Sequence, residues 1–406
     1  MVSPTLRNRV ASLDFLRGVA ILGILLANIP AFASSSLTQI DYFFDGSISK
    51  LNQWVNALTL TFVTGKFRSM LAILFGLGVA LQFNRRSQIP GAWPGGYLKR
   101  SAFLGLIGAI HAIFIWHGDI LFIYSGIAIT TCLLVGQPDK VLKGIIWGGG
   151  ILSFLSAAIF FAASFFVTNK QINQFMVEAD LDRSSTAQIY SSGTYLQQVV
   201  DRLSHDFVAL VGGVVVFIPF AIPLFLLGVL WARSGVLREP SAHHITRNWA
   251  LGIGLGLGLP LNALAIILMN SKVSGLASLA WELFFGPLMA PGYLMLGAVL
   301  VEKGVFKGLV SSISNVGKVA MTCYLMQSVI CTTIFYSWGF RLYGKLDSSQ
   351  MLIVVAGVWI VNIVFAHYWL KTYAMGPVEW LWRSLTEGRR LPIRIRDWDS
   401  KPTFSV

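Results

Sequence analysis

Charge is what this chain has least of. Only 12% of its 406 residues are charged, about half the share a soluble domain carries, so a soluble globular class is excluded. Cysteine is almost absent. Cys132, Cys323 and Cys331 all fall inside apolar runs and read as small buried hydrophobes, neither disulfides nor metal ligands. Histidine numbers six. His243 and His244 sit in a basic loop without Cys or carboxylate partners at metal-ligand spacing, so no metal is expected. No phosphate-binding P-loop, no glycine-rich dinucleotide fingerprint and no G-x-S-x-G elbow occurs, which argues against ATP-driven transport by this chain alone.

What fills the chain is hydrophobic side chain, 55% of residues at a mean hydropathy of +0.68. A spanning helix needs about 20 apolar residues. Ten candidates are read, at roughly 14–34, 52–83, 100–117, 119–136, 141–168, 206–232, 248–270, 276–302, 316–338 and 350–370. The expected fold is therefore all-α, a polytopic membrane bundle of about ten helices. The second run is too long for one straight span, and "TGKFRS" at 64–69 predicts a break in it. "WHGD" at 116–119 predicts a minimal hairpin turn between the third and fourth runs. The first run lacks a small-residue cleavage pattern and does not read as a cleavable signal.

The net charge of +13 suggests nucleic acid, but its distribution points to topology instead. With the N-terminus inside, the inner segments hold 21 Lys and Arg and the outer ones seven, with Arg17, Lys66 and Arg68 within spans. That bias places both termini in the cytoplasm. Residues 1–370 are read as one transmembrane domain, with 169–205 an outer loop region able to hold a short external helix. Residues 371–406 are read as a basic tail on the anionic inner leaflet.

Polar groups inside spans are costly and are the first candidates for function. In "LDFLRGVAILGILLANI", 13–29, Asp14 and Arg17 share one helical face as an i, i+3 pair. They anchor the helix or border an inner entrance. Asn28 follows some 16 to 21 Å along the helix, so the three do not make one site. Lys66 and Arg68 read either as salt-bridge partners or as a pocket for a phosphate or carboxylate.

"GAIHAIFIWHGDILFIY", 108–124, is the richest stretch. His111 lies mid-span, suited to accept and return a proton. His117 and Asp119 lie at the turn, with Tyr124 beyond. A satisfied core histidine is the plain alternative for His111. Spacing leaves open whether His111 and Asp119 touch. Tyr324, Gln327 and Ser328 lie together on one helix, as interhelical glue or substrate contacts. Glu379 and Arg383, i, i+4 in "GPVEWLWR", read as an interfacial ion pair among tryptophans or as further substrate contacts.

The blocks "SLDFLRGVAILGILLANI", "KFRSMLAILFGLGVALQF", "HAIFIWHGDILFIY", "YLMQSVI" and "GPVEWLWR", in this order, resemble the YeiB-type bacterial membrane proteins. That is a family catalogued as a domain of unknown function, and the likeness covers nearly the whole chain. The opening D-x-x-R-G with a later Asn is more remotely similar to heparan-α-glucosaminide N-acetyltransferase and its bacterial relatives. This second resemblance implies acyl transfer from cytosolic acetyl-CoA or another acyl-CoA, with roles for Asn28, Asp14 and Arg17. The acetyltransferase histidine that follows the Asn has no counterpart here, since 29–64 holds no His, and His111 is the base candidate.

The function expected is a membrane acyltransferase of the bacterial inner membrane: His111 as base, Asp119 orienting it, Asn28 at the oxyanion. The alternative is a proton-coupled transporter of a small or amphipathic anion. Expected partners are membrane lipids, the acyl-CoA donor, an envelope glycan or lipid acceptor and, in one arrangement, a second copy as a homodimer. Nucleic acid is not among them.

Overall fold

The computed structural model describes residues 11–34, 49–89, 93–163, 185–269 and 275–399. Arg7, Arg9, Lys170, Arg183, Lys272, Lys401 and the acids Glu178, Asp180 and Asp182 of the outer loop reading lie outside them. The described chain is all-α, with no strand and a single isolated bridge between Tyr373 and Arg394. Apolar runs of this length have one solution in lipid. A helix satisfies its own backbone, where an open strand edge would leave N–H and C=O groups without water.

Helix α1, Ala11–Ala33, carries Asp14 in its first turn and Pro30 near its end. Next come α2, Lys50–Phe62, and α3, Lys66–Arg86. The predicted break separates them at Gly65, whose φ of 79° is left-handed backbone that favours glycine. Helices α4, Gly95–Phe114, and α5, Leu121–Leu134, form the predicted hairpin. Helix α6 is Asp139–Ala163. A helix at 185–192 precedes α7, a continuous rod of Tyr195–Asp201, a π-helical turn Arg202–Asp206 and Phe207–Ser234. Part of the expected outer loop is thus the first turns of a long helix.

Helix α8 runs His244–Leu251, Gly252–Leu257 and Gly258–Met269, again with a π-helical middle. Then follow α9, Gly275–Glu302; α10, Lys307–Lys318; α11, Ala320–Phe335; and α12, Ser348–Trp369. Helix α13 is Pro377–Glu387.

Among the described residues six helices or helix runs are long and apolar enough to cross a membrane: Ala11–Ala33, Lys50–Arg86, Asp139–Ile159, Tyr195–Ser234, Phe284–Glu302 and Ser348–Trp369. The α10 and α11 pair, bent by 84°, makes a seventh. The chain is a multi-pass membrane bundle, but by length and composition this count falls short of ten. The hairpin shows why: α5 has only 14 residues, about 21 Å of helix against a hydrocarbon core of about 30 Å.

Glycine sets the tightest crossings. A Cβ at Gly76 would overlap the carbonyl oxygen of Phe225, and one at Gly228 that of Ile73, so α3 and α7 meet backbone to backbone. Gly18 meets Ile313 and Gly317 meets Asp14 in the same way, joining α1 to α10. Such approach is the usual packing where no hydrophobic force drives helices together. One apolar cluster fills the bundle around α1, α3, α5 and α7. A second gathers Phe32, Trp116, Tyr190, Phe335, Tyr336 and Tyr343, at the end that the charge bias places outside. Cys132, Cys323 and Cys331 are all buried and free.

Candidate functional site

The α4–α5 hairpin builds the site. His111 occupies the last turn of α4, and the chain reverses through Ile115–Ile120. Two glycines permit the geometry. A side chain at Gly118 would strike the Trp116 indole, and one at Gly108 would strike Asp119 and the Phe122 backbone. Asp119 then faces two ways. Its Oδ1 accepts the Phe122 backbone N–H at 2.6 Å, capping the first turn of α5. Its Oδ2 lies 2.7 Å from His111 Nδ1. The two side chains are 1% and 0% exposed, so the contact open in the sequence is made, and made out of water.

A carboxylate against Nδ1 assigns the neutral ring's proton to Nδ1 and leaves the lone pair on Nε2. Among the described residues Nε2 has no hydrogen-bond partner. A core histidine kept for packing has both nitrogens satisfied; this one keeps a buried, oriented acceptor. Tyr324 of α11 fixes the turn from the far side. Its hydroxyl accepts from Ile120 N at 3.3 Å and donates to Gly118 O at 3.4 Å, and its ring centroid lies 5.4 Å from that of His111. Trp116 stacks on Phe32 of α1 at 3.9 Å and stands 6.4 Å from His111. Its Nε1 is also buried without a partner among the described residues.

Asn28, one turn before Phe32 on α1, is half-buried; no hydrogen bond joins its side chain to another described residue. Tyr124 is buried and its hydroxyl donates to the Arg68 carbonyl, tying α5 to the start of α3. Lys66 and Arg68 differ in their surroundings. Lys66 is fully buried and donates to Leu60 O at 2.7 Å across the Gly65 break, satisfying a carbonyl at the end of α2. The Arg68 side chain is exposed. Residues two apart on a helix point to different faces.

The remaining candidates make contacts within the bundle. Asp14 and Arg17 form their ion pair at 3.3 Å. Gln327 donates to Ile21 O at 3.1 Å, the glue role, while Ser328 bonds within its own helix. Glu379 caps α11: its Oε1 accepts from Met321 N at 2.7 Å and Thr322 N at 3.2 Å, and its Oε2 bonds the Thr322 hydroxyl. The sequence offers that carboxylate an ion pair with Arg383 or a substrate contact. A helix N-terminus offering several N–H groups holds it instead. Arg383 follows Trp382, whose ring is covered by the Arg100 guanidinium at 3.6 Å.

Four residues near the site were not singled out from the sequence: Trp116, Tyr190, Gln198 and Arg202. Gln198 and Arg202 are fully buried, and Tyr190 and Trp116 nearly so. The signal was present as the polar turns "QQVVDR", 197–202, running without a breaker into an apolar helix.

The family model described as "Protein of unknown function (DUF418)" matches residues 231–389. The chain is 31% identical to the uncharacterized protein YxaH of Bacillus subtilis (strain 168) over 405 residues, covering 95% of this chain and 96% of that one. It is 29% identical to the uncharacterized protein YeiB of Escherichia coli (strain K12), covering 93% and 96%. It is 23% identical to an uncharacterized 39.9 kDa protein of Bacillus acidopullulyticus, covering 96% and 97%. No solved structure matches it at a significant level.

Proposed function

The chain belongs to the DUF418, or YeiB-type, family of membrane proteins, and from that premise we propose that it is a transmembrane acyltransferase of the bacterial inner membrane. Acyl-CoA is the donor, entering from the cytosolic side, and the acceptor is a hydroxyl or amine of an envelope glycan or lipid. The observation that carries this reading is the buried His111–Asp119 pair with Nε2 unengaged. Nε2 takes the proton of the acceptor as its oxygen or nitrogen attacks the thioester carbonyl. The C–S bond then breaks, and the proton passes from Nε2 to the departing thiolate. Asp119 holds the ring in the required tautomer and steadies its charged form.

Oxyanion stabilisation needs donors that have no other partner. The Trp116 indole N–H and the Asn28 amide both meet that requirement, and Phe32 links them spatially. The bacterial sources of the relatives support the location. The test is thiol release from acetyl-CoA by protein in nanodiscs supplied with envelope lipid extract. Turnover that His111→Ala abolishes, in a protein that still folds, supports the reading; no acyl-CoA binding in either detergent or nanodiscs removes the donor and overturns it.

Proton-coupled transport is the second reading. The joints at Gly65 and between α10 and α11 favour it, since broken helices commonly form transporter sites. Proton uptake into proteoliposomes driven by an anion gradient, without thiol release, would select it.

A further inference from the structure

Arg202 is a cation inside the bundle whose charge reaches the Asp206 carboxylate without a direct ion pair. It is fully buried, and no carboxylate lies within ion-pair distance of it among the described residues. Burying a cation is costly unless other groups offset its lost hydration. One edge of its guanidinium has a structural use. Nε donates to Ile113 O at 2.8 Å and Nη2 to Phe114 O at 3.4 Å, covering the carbonyl end of α4, where a cation suits the helix dipole. That use leaves Nη1 without a partner. The Tyr190 hydroxyl is likewise buried without a partner, and its ring centroid is 5.9 Å from the guanidinium carbon.

The neighbouring carboxylates are turned to histidines. Asp206 lies 3.8 Å from His117, and Asp201 lies 3.2 Å from His205. Among the described residues, Tyr195, Tyr336 and Tyr343 are further titratable groups in this neighbourhood. The Nη1 edge of Arg202 and the Tyr190 hydroxyl, a group able to accept as well as donate, thus stand beside each other with spare hydrogen-bonding capacity.

We propose that Arg202 and Tyr190 form a subsite for an oxyanion, a carboxylate or phosphate group carried by the acceptor; the word acceptor rests on the acyl-transfer reading, the binding does not. An oxyanion accepts from both donors and neutralises the guanidinium, which a single water cannot do. A line of rings connects the subsite to the dyad: Tyr190 to His117 at 6.4 Å, His117 to Trp116 at 5.6 Å, and Trp116 to His111 at 6.4 Å. Trp116 Nε1 and His111 Nε2 along it are buried without a hydrogen-bond partner among the described residues, and His117 Nδ1 has the Asp206 carboxylate at 3.8 Å. Its accessible edge is His117 and Asp206, 31% and 35% exposed.

The experiment is thermal unfolding of the full chain in nanodiscs, titrated separately with inorganic phosphate, acetate and a short-chain phosphatidic acid at constant ionic strength. Wild type is expected to show a saturable rise in Tm with phosphate or acetate. Arg202→Gln should weaken the apparent affinity about tenfold or more, and Tyr190→Phe, which keeps the ring, about threefold to tenfold. Saturation by phosphatidic acid at concentrations well below inorganic phosphate identifies a lipid headgroup as the source; the reverse identifies a free anion. The proposal is overturned if none of the three shifts wild type, or if Tyr190→Phe and Arg202→Gln respond as wild type does. Should Arg202→Gln fail to fold, Tyr190→Phe decides alone. Failure of thiol release leaves this result standing, so the two readings fall separately.

Discussion

Asp119→Asn separates the two duties of one carboxylate. The amide oxygen can still accept the Phe122 N–H that Oδ1 accepts now at 2.6 Å, so the cap on α5 survives and stability should fall by less than about 1 kcal/mol. The other half of the side chain becomes an NH2 facing His111 Nδ1, 2.7 Å away in the native pair. Two donors cannot face each other, so the ring proton moves to Nε2 and the base is lost. Positioned general-base catalysis contributes about 10²- to 10⁴-fold, so turnover should drop by about 3 to 5 kcal/mol in barrier. Asp119→Ala removes cap and orientation together. It loses about 1 kcal/mol of cap and leaves a buried donor unmet at about 1–3 kcal/mol more.

The assays are thermal unfolding, acetyl-CoA turnover and ¹⁵N NMR of the His111 ring, the last readable even without a known acceptor. An Asp119→Asn protein with native tautomer and turnover within about threefold of wild type would refute the assignment. Asp119 would then be a helix cap and nothing more.

Gly76→Ala should destabilise the bundle by about 1–3 kcal/mol or more, because its Cβ would enter the Phe225 carbonyl. Gly78→Ala, with open space around it, should be neutral or stabilising by up to about 1 kcal/mol; equal unfolding midpoints in denaturant would contradict the crossing. Asp347 caps α12 by accepting from Gln350 N at 2.9 Å and the Ser349 hydroxyl at 2.7 Å, and these bonds hold its carboxyl below the usual range. A depressed carboxyl contributes stability above its unfolded value, about 3.9, and that contribution is lost as pH falls through the folded value. Asp347→Asn, which keeps the cap, should therefore flatten the acid limb of the Tm–pH curve below about pH 4, and an unchanged limb would assign it to other carboxylates.

Much of the fold was legible because lipid leaves apolar segments little choice. The Gly65 joint and the turn at 116–119 were readable too, since each places glycine and charge inside an apolar run. What stayed hidden depends on chain reversal or distant partners. His111 and Asp119 meet because the hairpin closes over Gly118, and eight residues of spacing does not encode that. Lys66 and Arg68 looked like a pair by proximity, yet two residues along a helix is about 200° of rotation. Glu379 sat at ion-pair spacing from Arg383, while the N-terminus of α11 lies some sixty positions away in the chain. Arg202 was counted only as an outer charge, because polar turns before an apolar helix read as loop.

Two successive carbonyls of α1 accept from side chains of different helices: Ile21 from Gln327 of α11 and Leu22 from Trp359 of α12. Rotation of α1 about its axis would break both bonds at once. The opening helix is therefore a fixed post, locked in azimuth as well as in place. Its contact with α10 is a glycine crossing, backbone against backbone, and the crossing of α3 with α7 is of the same kind. Whatever α1 carries, Asn28 included, is thereby held at a set angle to α11 and α12.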